Sequence, residues 1–185
     1  MNINLLTEVE VESLNRLIDE ANHIAIYTHR SPDGDAIGST LGMANYLKQR
    51  GKEDVKVIVP DMFPNFLQWL PGTMDILRHD KKKEEAEAAT RNADLLLCLD
   101  FNDASRTAEL EPLITESTAH KVLIDHHLNP TVDADISVSH PEACSTCELV
   151  FRLIWQLGGF EEMDKDVAVP IYCGMMTDTG GFTYN

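Results

Sequence analysis

Positive charge is what this sequence most lacks: 15 Lys and Arg stand against 31 Asp and Glu, a net charge of −16. A chain this acidic repels long nucleic acids and anionic membranes, whose affinity for a protein rests on cationic contacts to phosphate. Any phosphate compound it handles is expected to be small, with its charge met by bound metal ions. Long apolar runs are missing too: none approaches the roughly eighteen residues of a membrane span. The opening stretch "MNINLLTEVEVESL" carries acids where a secretory signal carries basic residues and then an apolar core. The sequence therefore reads as cytoplasmic, with its four cysteines reduced. Cys144 and Cys147 form a C-x-x-C without a second pair, and the nearest histidine, His140, precedes them. A structural zinc site needs four ligands, so the pair is read as packing at a helix start. A thiol pKa lowered by that helix end would instead permit redox chemistry.

What the sequence does have is the material of one globular domain: 185 residues, 43% of them hydrophobic. Helical periodicity covers Glu8–Asn22, Ala36–Arg50, a charged stretch at 81–91, Ser145–Leu157 and Asp166–Met176. Ser145 with Glu148 three residues on is a capping box. Strand-like apolar runs occur at Ile24–Thr28, in "VKVIVP", "ADLLLCLD" and "HKVLIDHH", and more briefly in "ISVS". Strands alternating with helices predict an α/β fold, a parallel Rossmann-like sheet with helices on both faces. Phe66 and Trp69, beside Pro64 and Pro71, read as a packed loop, with stacking on a base as the alternative. Gly38 and Gly42 read as close packing of a helix on the sheet.

Three of the apolar strands run into metal-type residues. The first leads to His29, Asp33 and Asp35, the third to Asp100, and the fourth to Asp125, His126 and His127. A turn needs Pro, Gly and one Asp, but not an imidazole and two carboxylates together. In a parallel sheet the carboxyl ends of all strands share one edge, where ligands bind, so these side chains converge on one crevice. Asp178, placed in a loop after the last helix, joins them. Asp33 and Asp35 flank a glycine, and in an extended loop their carboxylates point to opposite sides, each to its own cation. Asp100 then bridges the two. Such a pair of ions, roughly 3.5–4 Å apart, clamps the attacking and leaving oxygens of phosphoryl transfer. The mixed carboxylate and imidazole set suits Mn2+, with Mg2+, Co2+ and zinc as alternatives.

The stretches "THRSPDGDAIGS", "LCLDFNDASR", "LIDHHLNP" and "GMMTDTGGF" together resemble the four motifs of the DHH phosphoesterase family, over residues 23 to 184. Within it, the pattern is most similar to the oligoribonuclease (nanoRNase) and pAp phosphatase branch. The resemblance implies one metal on His29, Asp33 and Asp100, and a second on Asp35, Asp100, His126 and Asp178. It implies that His127 faces the substrate phosphate, that Asp125 orients its neighbours, and that Arg106 reaches phosphate. The alternative for Arg106 is a salt bridge to Asp103 or to the metal-site carboxylates. Members of this branch carry a second, C-terminal substrate-binding domain (DHHA1-type). The whole of 1–185 is thus read as the DHH domain, and the chain as a fragment without that second domain.

The implied activity is two-metal hydrolysis of phosphoester bonds in small nucleotides, very short oligoribonucleotides or 3′-phosphoadenosine 5′-phosphate. Asp100 and His127 are the catalytic candidates. Two other readings stay open: an inorganic pyrophosphatase or exopolyphosphatase of the same family, and a metal- or nucleotide-binding module without turnover. A homodimer is a possible assembly.

Overall fold

In a computed structural model, which describes residues 3–184, six strands form one parallel sheet in the order β3-β2-β1-β4-β5-β6. Helix α1 (Glu8–Glu20) opens with a reciprocal cap in which Thr7 and Glu10 satisfy each other's backbone N–H groups. It leads into β1 (His23–Tyr27), α2 (Gly34–Gln49) and β2 (Asp54–Val59). After the short β3 (Leu77–Arg78) come α3 (Lys83–Asn92) and the central β4 (Leu95–Leu99). A 3-10 segment (Ala104–Leu110) and α4 (Glu111–Thr115) precede β5 (His120–Asp125) and β6 (Ile136–Ser139). Helices α5 (Thr146–Gln156) and α6 (Lys165–Asp178) complete the chain. No described helix is long and apolar enough to cross a membrane.

Alternation along the strands divides the core in two. Ile24 and Ile26, Leu95 and Leu97, Val122 and Ile124 face one side, under residues of α1, α2, α5 and α6. Ala25 and Tyr27, Leu96 and Cys98, and Leu123 face the other, under Ala86 of α3 and Leu110 and Ile114. All five residues of β4 are buried, as a strand covered on both faces requires. Truncating Leu97, deep in this core, to alanine costs about 2–5 kcal/mol.

Helices α2 and α6 approach closely, and glycine permits it. A Cβ on Gly38 would lie 2.5 Å from the Pro170 carbonyl oxygen and 3.0 Å from Cys147 Sγ, while Gly42 abuts Ile171. These glycines therefore serve helix-on-helix packing, not the helix-on-sheet packing their spacing suggested. Pro170 sits inside α6 and cannot donate to the Asp166 carbonyl, which accepts from Asn45 Nδ2 on α2 at 2.7 Å instead. That bond locks the two helices at the point where the proline breaks the ladder.

The segment expected to be a loop with one short helix holds two 3-10 turns and β3, whose two residues are too few to show a period. Phe66 and Trp69 within it are 61% and 65% exposed, so they do not form the packed loop expected of them. Helix α2 begins at Gly34 rather than Ala36. Helix α6 extends to Asp178, which is its last residue and not part of a following loop.

Candidate metal centre

The loops after β1, β4 and β5 meet at the carboxyl edge of the sheet, joined by the first turns of α2 and α5 and the last turn of α6. His29, two residues beyond β1, is 7% exposed. Its Nδ1 lies 2.8 Å from the Arg30 carbonyl, a partner that only an N–H can satisfy, so Nε2 is left to face Asp100 Oδ2 at 3.5 Å. Asp33 is the N-cap of α2, and one of its oxygens accepts from the Asp35 and Ala36 amides at 3.0 Å each. The helix start, rather than an extended loop, separates the Asp33 and Asp35 carboxylates.

Asp35 lies in the first turn of α2 and is almost completely buried. Both its oxygens are held by the N-terminus of α5: Thr146 N donates at 2.7 Å and Cys147 N at 2.9 Å. Asp100 follows β4 with a φ of 64°, a left-handed conformation strained for a non-glycine residue. Its amide donates to the Ile124 carbonyl at 3.1 Å, and its Oδ1 accepts the Thr146 hydroxyl at 2.9 Å. Such strain persists where surrounding contacts over-determine a conformation, and it concentrates at functional sites.

His126 occupies the middle of the cluster. Its Nε2 is 3.8 Å from Asp35 Oδ2, 3.7 Å from Asp100 Oδ1 and 3.7 Å from Asp178 Oδ2. Those separations are too long for hydrogen bonds but fit atoms sharing one cation at about 2.0–2.2 Å each. Ligating atoms of His29, Asp33 and Asp100 lie within 4.8 Å of one another, as do those of Asp35, His126 and Asp178. A third such trio, Asp100, His126 and His127, adds the histidine expected to face substrate. The donors fit two divalent cations: four carboxylates balance the charge, and two imidazoles complete a mixed set.

His127 is one-third exposed, and its Nδ1 is 2.7 Å from Oδ1 of the fully buried Asp125. That bond holds the imidazole pKa above its usual value, helped by the charges of Asp125 and Asp100 and opposed by partial burial and by Arg106. Asp125 Oδ2 has no partner among the described residues. No described carboxylate is within ion-pair distance of Arg106, so the alternative salt bridge does not form. The Arg106 backbone instead ties the loops together, its carbonyl accepting from Arg30 N at 2.8 Å.

Burial and mutual repulsion decide where a proton resides. Stripping a carboxylate of water costs several kcal/mol, and two backbone N–H bonds return only part of that. Burial and the nearby Asp100 push Asp35 well above the usual carboxylate range, against the bonds from Thr146 and Cys147. Burial would also raise Asp100, but the His29 contact and the charges of His126 and His127 outweigh it and hold it low. Asp178 is raised by burial in the first place. Without metal, Asp35 thus holds a proton more readily than Asp100 does.

Thr146 was not anticipated from the sequence. The signal was present: Ser145 caps α5, accepting from Glu148 N at 3.1 Å. The expected box closes differently, since the Glu148 carboxylate takes the Cys144 amide at 2.8 Å. The next free amides of the helix, Thr146 and Cys147, serve Asp35. This leaves nothing for the thiols: burial raises Cys144 to about 11 and also pushes Cys147 well above the usual thiol range, so the helix end does not activate them. Cys147 packs against Gly38 and Gly174.

Comparison with known proteins gives this geometry a context. The chain is 34% identical over 161 residues to the bifunctional oligoribonuclease and PAP phosphatase NrnA of Thermus thermophilus, spanning 87% of this chain and 44% of that protein. It is 26% identical to the cyclic-di-AMP phosphodiesterase GdpP of Bacillus subtilis, over 92% of this chain and 27% of that one. The chain thus spans less than half the length of these relatives. The crystal structure of an exopolyphosphatase-related protein from Bacteroides fragilis matches with a TM-score of 0.92 and 46% identity, covering 97% of this chain and 54% of that one. Residues 23–175 match the DHH family, N-terminal domain, and the stretch holds every clustered side chain described above except Asp178. With that match, the chain belongs to the DHH family of phosphoesterases.

Proposed function

We propose that this chain is the metal-binding domain of a hydrolase that uses two divalent cations, Mn2+ before Mg2+ or Co2+, to cleave phosphoesters of small nucleotides. Short oligoribonucleotides, 3′-phosphoadenosine 5′-phosphate and cyclic dinucleotides make up the substrate class, in keeping with the names of the relatives. The observation that carries this reading is the His126 imidazole set 3.7–3.8 Å from three carboxylates on three elements. His29, Asp33 and Asp100 hold one ion; Asp35, Asp100, His126 and Asp178 hold the other. Bound ions supply positive charge to the phosphate and acidify a water.

The chain's own residues do the rest. Asp100 reaches both groups and fixes their spacing. Asp125 holds His127 Nδ1, leaving Nε2 to support charge on the phosphate or to move a proton to the leaving oxygen. Arg106, without an ion-pair partner among the described residues, is free to meet phosphate, and His127 beside it shares that task. With a net charge of −16, long nucleic acid and membrane surfaces are not partners. A cytoplasmic location and a homodimer belong to the same proposal.

A second reading, hydrolysis of pyrophosphate or polyphosphate, is favoured by the 46% identity to the exopolyphosphatase-related protein. Hydrolysis of pApA, 3′-phosphoadenosine 5′-phosphate and pyrophosphate by the complete protein in Mn2+ decides between them. Turnover of the nucleotides, abolished in Asp100→Asn, supports the first reading; turnover of pyrophosphate alone replaces it with the second. Tight nucleotide binding without product over hours supports a non-catalytic module.

A further inference from the structure

Beside the metal centre lies a cavity of about 360 Å³ between Ser31–Asp33 and Met62–Asn65. Its size and mostly apolar lining are those of a site for a small organic group. The floor is Phe63, which is 8% exposed, and the rim is Met62, which is 62% exposed. The walls are braced: Ser31 adopts a left-handed φ of 51°, and its amide donates to Asp61 Oδ1 at 2.6 Å, tying the loop after β1 to the loop after β2.

Asp33 connects this cavity to the centre, since it lines the cavity and belongs to the first metal group. A ligand whose phosphate sits at the metals therefore reaches the cavity with whatever it carries next to the phosphate. No lysine or arginine lines the cavity, so its occupant is not a second phosphate. The walls want a flat, neutral, apolar face, and the rim offers polar edges. Asn65 Oδ1 accepts from Gln68 at 2.9 Å, while its own amide nitrogen donates to no described residue. Ser31 offers a hydroxyl.

Resting on the phosphoesterase reading, we infer that this cavity is a nucleobase subsite. The base of the nucleotide at the metals lies over Phe63 with Met62 closing on it, and Asn65 and Ser31 meet its edge. The subsite would make the enzyme prefer nucleotides over sugar phosphates and inorganic phosphates.

The test is a titration of this chain in Mg2+, with its methionine methyls and histidine rings observed by NMR. Adenosine 5′-monophosphate and ribose 5-phosphate are compared, because they share the phosphate and differ in the base. The expected result is that both ligands move the His127 ring while only the nucleotide moves the Met62 methyl. Met62→Asp should then raise the Kd for the nucleotide roughly tenfold, to that of ribose 5-phosphate, which itself stays unchanged. A still Met62 with a moving His127 overturns the subsite and leaves the phosphoesterase reading intact. A Met62 signal that follows protein concentration, not ligand, assigns the surface to a second copy and also overturns it. If neither ligand moves His127, the centre does not bind phosphate, and both proposals fall.

Discussion

The Thr146 hydroxyl donates to Asp100 Oδ1 at 2.9 Å while the amide of the same residue donates to Asp35. One residue at the first turn of α5 thus fixes two carboxylates that arrive from β4 and α2. Groups that orient metal ligands in this way typically govern affinity by 10–100-fold. Thr146→Val keeps the shape and loses the hydroxyl, so Mn2+ affinity measured by calorimetry should fall by about tenfold. Thr146→Ser, which restores the donor, should recover most of it. Equal loss in both variants would assign Thr146 to packing alone.

Ionisation of the clustered side chains contributes to the pH dependence of stability in the metal-free chain. Asp35 and Asp178 have folded pKa values raised, chiefly by burial. His127 is raised chiefly by its bond to Asp125. His29 is disfavoured as a cation by burial, but the Asp100 contact and the Arg30 carbonyl raise it overall. A group with a raised folded pKa contributes stability below its unfolded value and loses it as pH rises through the folded one. All four therefore act in one direction. The metal-free chain should lose thermal stability as pH rises above the ordinary histidine range, and Mn2+ should raise Tm more at pH 8 than at pH 5.5. Thermal melts at both pH values, with and without metal, check this; an equal increment at both would count against it.

Much of this was legible in the sequence because it depends on chain order and period. The buried runs Leu95–Leu99 and Val122–Asp125 read as strands, and each hands its metal-type residues to the shared edge of a parallel sheet. The contribution of α5 was not legible. Ser145 and Glu148 signalled a helix start, but which carboxylate the free amides of Thr146 and Cys147 would meet depends on where a helix more than 100 residues away is placed. The glycines of α2 gave their spacing but not their partner, since close packing on a sheet and on a helix ask for the same small residue. The two-residue β3 and the 3-10 segment carrying Arg106 are too short or irregular to leave a periodic trace.

Gly38 supplies a test of the helix contact that holds Asp35 and Asp178 near one another. A methyl there would lie 2.5 Å from the Pro170 carbonyl oxygen, a backbone atom, and 3.0 Å from Cys147 Sγ. Overpacking of this kind costs about 1–3 kcal/mol. Gly38→Ala should lower the urea midpoint accordingly and weaken metal binding, whereas alanine at the open Gly158, despite its φ of 82°, should leave metal binding unchanged.

The proposed two-cation centre around Asp100 draws every ligand from this chain. Calorimetric titration of the metal-free chain with Mn2+, beside Asp100→Asn, tests it most directly. About two ions per chain are expected, with stoichiometry or affinity falling sharply in the variant because both groups lose their shared ligand. One weak site or none, unchanged in Asp100→Asn, would contradict it.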